Sequence, residues 1–290
     1  MKRLLVTGDD FGLALEVNEA IERAYGEGVL RTASLMVGGA AAEDAVARAH
    51  AMPGLGVGLH LVLVEGRPTL AEEQVSMLLD PQGVFLEDFV RAGFRFFFRP
   101  GIRRQLAAEI RAQFEAFRAT GLELDHVNAH NHMHLHPTIL GLLIEIGRDY
   151  GLPPIRFPRE HFRWNPGSGW LRETRRAMGD LALSPWMALL RRRLRTAGVP
   201  HNDQVLGNAD SGHMNEETVL RLLDTLPAGT TEMYFHPAVG RCAEIERVSP
   251  GTQYNGELNA LLSPRVRERI ETLAVEPLRF RDLGRPLSGD

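Results

Sequence analysis

Four places in the chain carry residue types suited to acid–base or metal chemistry. Asp9 and Asp10 set two carboxylates side by side. His60 lies in the run Gly56-Val57-Gly58-Leu59-His60-Leu61, and Asp125-His126 is followed by His130, His132, His134 and His136. His236 closes the run Tyr234-Phe235-His236-Pro237. Adjacent carboxylates can divide labour, one ligating an ion while the other accepts a proton. They can equally cap a following helix. Asp10-Phe11-Gly12 matches a kinase metal-binding triplet, but no glycine-rich phosphate loop precedes it, which excludes that reading. His60, flanked by Leu59 and Leu61, can point inward, as many packed core histidines do.

The histidine cluster is harder to explain as core filling. Continued as a strand, residues 130 to 134 would spread three imidazoles over roughly 13 Å of one face, too far to share an ion. One of them is therefore expected to ligate directly. The others are expected behind it or along the cleft, with His136 as a local cap. One carboxylate plus two imidazoles leaves coordination positions open for water and substrate. The expected chemistry is metal-assisted hydrolysis.

These residues need elements to position them. Leu4 to Thr7 reads as a buried strand, with Asp9-Asp10 after it. Asn18 to Tyr25 follows as a helix, Thr32 to Val37 as a strand, Ala40 to Ala51 as a helix and Gly56 to Val64 as a strand. That β-α-β-α-β rhythm predicts parallel strands joined by right-handed crossovers. Further along come a helix over 105–120, a strand over 125–130, a helix opened by Pro137, and a late strand from Thr230 to His236. Helices capped by Asn215 and by Ser263-Pro264 complete the pattern. Every polar cluster thus falls at a strand's carboxyl end, where parallel α/β folds collect ligand-binding groups. Residues 158–212 break the rhythm and read as a mostly helical insertion or lid holding all three tryptophans.

Composition bounds the rest. The chain has 290 residues and 44% hydrophobic content, which suits one α/β barrel domain over 1–290. Its formal charge of −4 argues against a nucleic-acid partner. A single cysteine, Cys242, excludes an internal disulfide and a cysteine zinc site. The opening residues are too briefly apolar for a secretion signal, so the cytoplasm is the expected compartment.

Taken together, Thr7-Gly8-Asp9-Asp10-Phe11-Gly12, Asn18, Gly56 to Leu61, His126 to His134, Ile155-Arg156 with Pro158, and Thr231 to Pro237 resemble the YdjC-like (ChbG/HpnK) carbohydrate deacetylase family. The likeness extends over nearly the whole chain and is greatest to the branch associated with hopanoid biosynthesis. The resemblance implies a distorted (β/α) barrel and removal of an N-acetyl group from an amino sugar. It implies a divalent ion, zinc or magnesium foremost and manganese, cobalt or iron next, held by Asp10, His60 and His130. It implies Asp9 as general base and His236 as general acid, with Arg156 tuning the base or gripping substrate. Asn128, His132 and His134 are implied around the ligands or the substrate. Two positions depart from the family pattern: Asn128, where many relatives carry Asp, and Ala238, where Gly is more usual. The Asn-Ala-His form points to the hopanoid branch and an N-acetylglucosaminyl lipid; a chito-oligosaccharide or another small N-acetyl sugar is the alternative. A lipid substrate would bring the enzyme to the inner face of the membrane, through Phe94–Phe98 with its arginines or through Leu183–Arg195. The same stretches could instead pack on the barrel or form a homodimer interface. A barrel-type phosphoesterase or amidohydrolase and a non-catalytic carbohydrate-binding barrel are the competing functions.

Overall fold

A computed structural model of the chain describes residues 1–98, 100–161 and 169–283. Its centre is β1 (Lys2–Phe11), buried along eight consecutive residues. Around it follow α1 (Leu15–Glu27), β2 (Thr32–Leu35), α2 (Ala42–Ala51) and β3 (Gly56–Leu61). After short α3 (Glu72–Val75) come α4 (Phe89–Phe98), α5 (Pro100–Ala119), β4 (Leu124–Ala129) and α6 (Pro137–Gly147). The second half holds α7 (Trp170–Thr196), β5 (Gln204–Val205), α8 (Glu216–Asp224) and β6 (Gly229–Phe235). It ends with α9 (Ala243–Val248), α10 (Tyr254–Leu262), α11 (Pro264–Thr272) and β7 (Glu276–Leu278).

The sheet runs β4-β3-β2-β1-β6-β5, with β7 also paired to β1. Every pairing between these strands is parallel, as the alternating rhythm predicts. The sheet curls, and the segment 154–159 spans its two outer strands. On one side the Val127 amide donates to the Pro154 carbonyl at 2.8 Å and Arg156 donates back to Val127 at 3.0 Å. On the other, Val205 donates to Arg159 at 2.8 Å. This is the distorted α/β barrel architecture expected. The stretch 158–212 contains the long helix α7, and it also contains β5, which belongs to the sheet.

Local chemistry sets several element ends as the sequence indicates. Asn215 accepts from Thr218 N–H at the start of α8, and Ser263 accepts from Val266 N–H ahead of Pro264 in α11. His136 caps α6 by accepting from Thr138 N–H. The two stretches expected either to meet a membrane or to pack on the barrel or a second copy carry apolar side chains both inward and outward. Phe94 and Phe97 of α4 are exposed but Phe96 is buried, and in α7 Met187 and Leu190 pack inward while Leu183 and Leu189 face outward. Each stretch is thus an amphipathic helix with an apolar inner edge as well as an apolar outer one. Trp164 and Arg99 lie outside the described residues.

Two strands carry one residue more than their neighbour. On β1, Gly8 faces Ala33 and Phe11 faces Leu35, so three steps match two across Asp9 and Asp10. On β4, Leu124 faces Val57 and Val127 faces Leu59, so the surplus falls at Asp125 and His126. Such bulges re-aim side chains. In β4 the Asp125 and His126 side chains both lie over the glycines of β3. A Cβ on Gly56 would meet the Asp125 carboxyl at 2.7 Å, and one on Gly58 would meet the His126 ring at 2.4 Å. The sequence Gly-Val-Gly is therefore required by its neighbour's bulge. Gly58→Ala is expected to destabilise the fold by about 1–3 kcal/mol through overpacking, read as a lower urea midpoint; an unchanged midpoint would show that His126 does not fill this space.

Candidate active site

The bulge in β1 explains how adjacent carboxylates serve different partners. The sequence places Asp9-Asp10 on a loop after the strand, whereas both lie within β1, at its carboxyl end. Asp10 adopts φ 62°, a left-handed conformation uncommon for a non-glycine residue and often tied to function. Asn18 braces the turn beyond: its Oδ1 accepts from Gly12 N–H at 2.8 Å, and its Nδ2 donates to Ala41 O and Asp44.

Asp10, His60 and His130 converge. Asp10 Oδ1 lies 3.3 Å from His60 Nε2 and 3.4 Å from His130 Nδ1, and the two ring nitrogens are 3.3 Å apart. All three side chains are buried. Each ring is held from its far nitrogen, His60 by Asn128 Oδ1 at 2.7 Å and His130 by Glu65 Oε2 at 3.2 Å. Such outer partners commonly orient metal-ligating imidazoles. Asp10 Oδ1 is buried with no hydrogen-bond partner. Burial would raise the Asp10 carboxyl, but the facing imidazoles of His130 and His60 hold it well below the usual range. Burial would lower His130, yet Asp10 and Glu65 push it up to about 10. An orphaned carboxylate oxygen facing two close imidazole nitrogens fits a divalent cation well.

Asp9 faces a different partner. Arg156, 1% exposed, reaches Asp9 Oδ2 at 2.5 Å and Oδ1 at 3.0 Å. The same guanidinium reaches Glu232 at 2.6, 2.9 and 3.0 Å. Asn128 Nδ2 adds a bond to Asp9 Oδ1 at 3.0 Å, and Thr7 Oγ1 donates to Glu232 at 2.8 Å. Burial favours a neutral Asp9, but the charge of Arg156 overrides it and holds the carboxyl well below its ordinary value. With two carboxylates as its partners, Arg156 aligns Asp9 and does not line the cleft.

That cleft encloses about 410 Å3 and is lined by Asp9, His60, His130, His132, Tyr234 and His236, with Asn208 and Thr252 among its polar walls. Consecutive left-handed residues, Asn131 (φ 51°) and His132 (φ 53°), turn the chain sharply after β4. This is why His130, His132 and His134 do not share one centre. His132 contacts Asn208 at 3.1 Å and Tyr234 Oη at 3.3 Å, and burial with the nearby Arg156 pushes its ring down to about 4. His134 sits behind, edge-on to His132 at 5.8 Å, and burial lowers it well below the imidazole range. His236 meets Tyr234 edge-on at 5.7 Å. Sequence reading assigned no role to Glu65, Ser34, Asn208 or Glu232. Glu232 alone left a signal, a carboxylate in the middle of a short strand that ends in Met233, Tyr234 and Phe235.

Comparison with known proteins fits this geometry. A family model described as YdjC-like protein matches residues 3–272. A carbohydrate deacetylase of Brevibacillus brevis is 30% identical over 283 residues, covering 97% of this chain and all of the relative. One of Mus musculus is 32% identical over 309 residues, covering 99% and 97%. Among solved structures, an Enterococcus faecalis protein described as a candidate for cellobiose-phosphate cleavage superposes with a TM-score of 0.75. It is 23% identical and covers 97% of this chain and 98% of its own, a likeness that speaks to the fold.

Removing Arg156 strands two buried carboxylates. Arg156→Met is expected to cost about 3–5 kcal/mol at pH 7. A carboxyl held below its unfolded value contributes stability above about pH 4, and loses it as pH falls from there toward the folded value. The difference between wild type and variant, measured by urea unfolding, should therefore shrink below about pH 4. A loss of equal size at pH 7 and pH 3 would mean that Arg156 acts through the packing of its stem.

Proposed function

The chain belongs to the YdjC-like protein family, and from that membership we propose that it is a metal-dependent carbohydrate deacetylase, hydrolysing the acetamide of an N-acetyl amino sugar to acetate and a free amine. The observation that carries this reading is the cleft itself. It sets a buried Asp-His-His cluster beside an ionised carboxylate, Asp9, and an imidazole, His236. Relatives described as carbohydrate deacetylases support it.

Asp10, His60 and His130 would hold the cation, zinc or magnesium foremost. When bound, a divalent ion polarises a carbonyl and lowers the pKa of water. Asp9 accepts the proton of the attacking water as the C–O bond forms. Its Oδ2 takes one hydrogen bond, from Arg156, and so keeps a lone pair for that proton. Arg156 is a positioning residue, keeping Asp9 ionised and in one orientation. His236 gives a proton to the leaving nitrogen as the C–N bond breaks. His132, Asn208 and Tyr234 offer hydrogen-bonding groups for sugar hydroxyls.

We infer further that the sugar is carried on a hopanoid lipid. Nine of the eleven exposed large apolar side chains among the described residues lie on α4 and α7, including Val90, Phe94 and Phe97 on the first and Trp170 and Leu181 on the second. Leu183 and Met187 line a cavity of about 300 Å3 that shares His132 and Asn208 with the catalytic cleft. Apolar side chains beside arginines suit an interfacial helix on an anionic membrane. No helix among the described residues is long and apolar enough to cross one. In this reading the enzyme works at the inner membrane face, 1–290 is a single domain, and part of 158–212 forms the wall under the lipid.

Acetate should be released from an N-acetylglucosaminyl hopanoid, with loss of one acetyl mass from the lipid; release only from chito-oligosaccharides would move the substrate to soluble sugars. Phosphate release from simple esters, without acetate release, would move the protein to another hydrolase class. Asp9→Asn should lower acetate release by about 10²–10⁴-fold while zinc binding, measured by calorimetry, stays within a few-fold. Full activity in this variant would remove Asp9 as the base. Anionic vesicles should carry the protein upward in a flotation gradient at low salt; absence from the vesicle fraction would leave the α4–α7 surface to a second copy of the chain.

A further inference from the structure

Beneath the cleft runs a buried hydrogen-bonded chain that the proposed reaction does not use. Asp125, His126, Ser34 and Asn128 are all fully buried. Asp125 accepts the main-chain N–H groups of Phe280 and Arg281, each at 3.2 Å, and its Oδ2 lies 3.0 Å from His126 Nδ1. His126 Nε2 is 3.0 Å from Ser34 Oγ, which in turn accepts from Asn128 Nδ2 at 2.9 Å. The His126 ring is stacked on Phe280 with centroids 4.4 Å apart, so its plane is fixed.

Only one polarity gives every donor an acceptor. A carboxylate can only accept, so His126 carries its proton on Nδ1. Nε2 then accepts from the Ser34 hydroxyl, and the Ser34 oxygen is left to accept from the Asn128 amide. From the opposite end, Asp9 Oδ1 accepts from the same amide nitrogen at 3.0 Å. The Asn128 oxygen therefore faces His60 Nδ1, at 2.7 Å, and that nitrogen must hold the ring proton. His60 Nε2 is left with its lone pair turned toward Asp10 and His130. A reversed amide would force the proton onto Nε2, where a cation needs the lone pair.

We propose that Asp125, His126 and Ser34 are positioning residues that fix the direction of the Asn128 amide, and so keep His60 Nε2 open for a cation. Asp9 Oδ1 holds the same amide nitrogen from the other side, so the buried chain is the anchor that remains when the Asp9 carboxylate is removed. The proposal rests on Asp10, His60 and His130 being a cation site.

The test uses Asp9→Asn to remove the carboxylate that also holds the amide, and reads the ring directly in chelator-treated protein. In nitrogen-15 histidine spectra, with His60 assigned by His60→Gln, wild type and Asp9→Asn should both show the Nδ1–H form of His60. Adding Ser34→Ala to Asp9→Asn should populate the Nε2–H form and weaken zinc binding, measured by calorimetry, at least tenfold relative to Asp9→Asn. Adding His126→Phe should do the same, and serves if the first pair does not fold. An unchanged tautomer in the double variants overturns the proposal even if their thermal stability falls, since that would mark a purely structural role. Because the spectra need neither substrate nor metal, a missing deacetylase activity would count against the proposed function and not against this assignment.

Discussion

The guanidinium of Arg156, clamped between Asp9 and Glu232, is the interaction around which the rest is arranged. It ties three parts of the curled sheet together: β1 through Asp9, β6 through Glu232, and the segment 154–159 that spans the outer strands. Burying three charges is tolerated only when the geometry is close to ideal and the remaining lone pairs are satisfied. Bidentate contact, the Thr7 hydroxyl on Glu232, the Asn128 amide on Asp9 and the Tyr234 ring 4.7 Å from the guanidinium meet that demand. Asp9 cannot turn without breaking these contacts, so its free lone pair has a fixed direction. Specific geometry at this point is worth more than the net energy of the pair, which is modest for buried ions.

Next to this closed network lies an open one. Asp10 meets two imidazoles without a hydrogen bond to its Oδ1, whereas both oxygens of Asp9, one residue away, accept hydrogen bonds. The contrast follows from the bulge and the left-handed Asp10, which send neighbouring side chains to different partners. It divides the pair into one carboxylate anchored by Arg156 and one whose Oδ1 faces two imidazoles without a hydrogen bond.

Much of this was legible in the residues. The parallel rhythm, the polar clusters at strand ends, the Asn215 and Ser263 caps and the separation of His130 from His132 all followed from spacing and turn chemistry. β1 read short because Asp9 and Asp10 interrupt its apolar run, although they continue the strand. The bulges were invisible, since an extra residue in a strand has no composition of its own. Glu65 carries no signal because its role depends on the turn that brings it to His130. Asp125 and His126 were legible as polar residues, but only the β4 bulge and the glycines beneath them reveal that they point below the cleft. The short β7 and α9 escaped for want of a long periodic pattern. A protein of 23% identity keeps the same architecture.

The two surplus residues, in β1 and β4, set a rule for how this molecule can change over generations. Side-chain direction alternates along a strand, so deleting one residue upstream of Asn128 would turn the remainder of β4 inside out. Exchanging one side chain leaves the alternation of the strand intact, whereas changing the number of residues does not. An insertion or deletion within either strand would therefore cost this barrel more than one in the helices and loops that surround them.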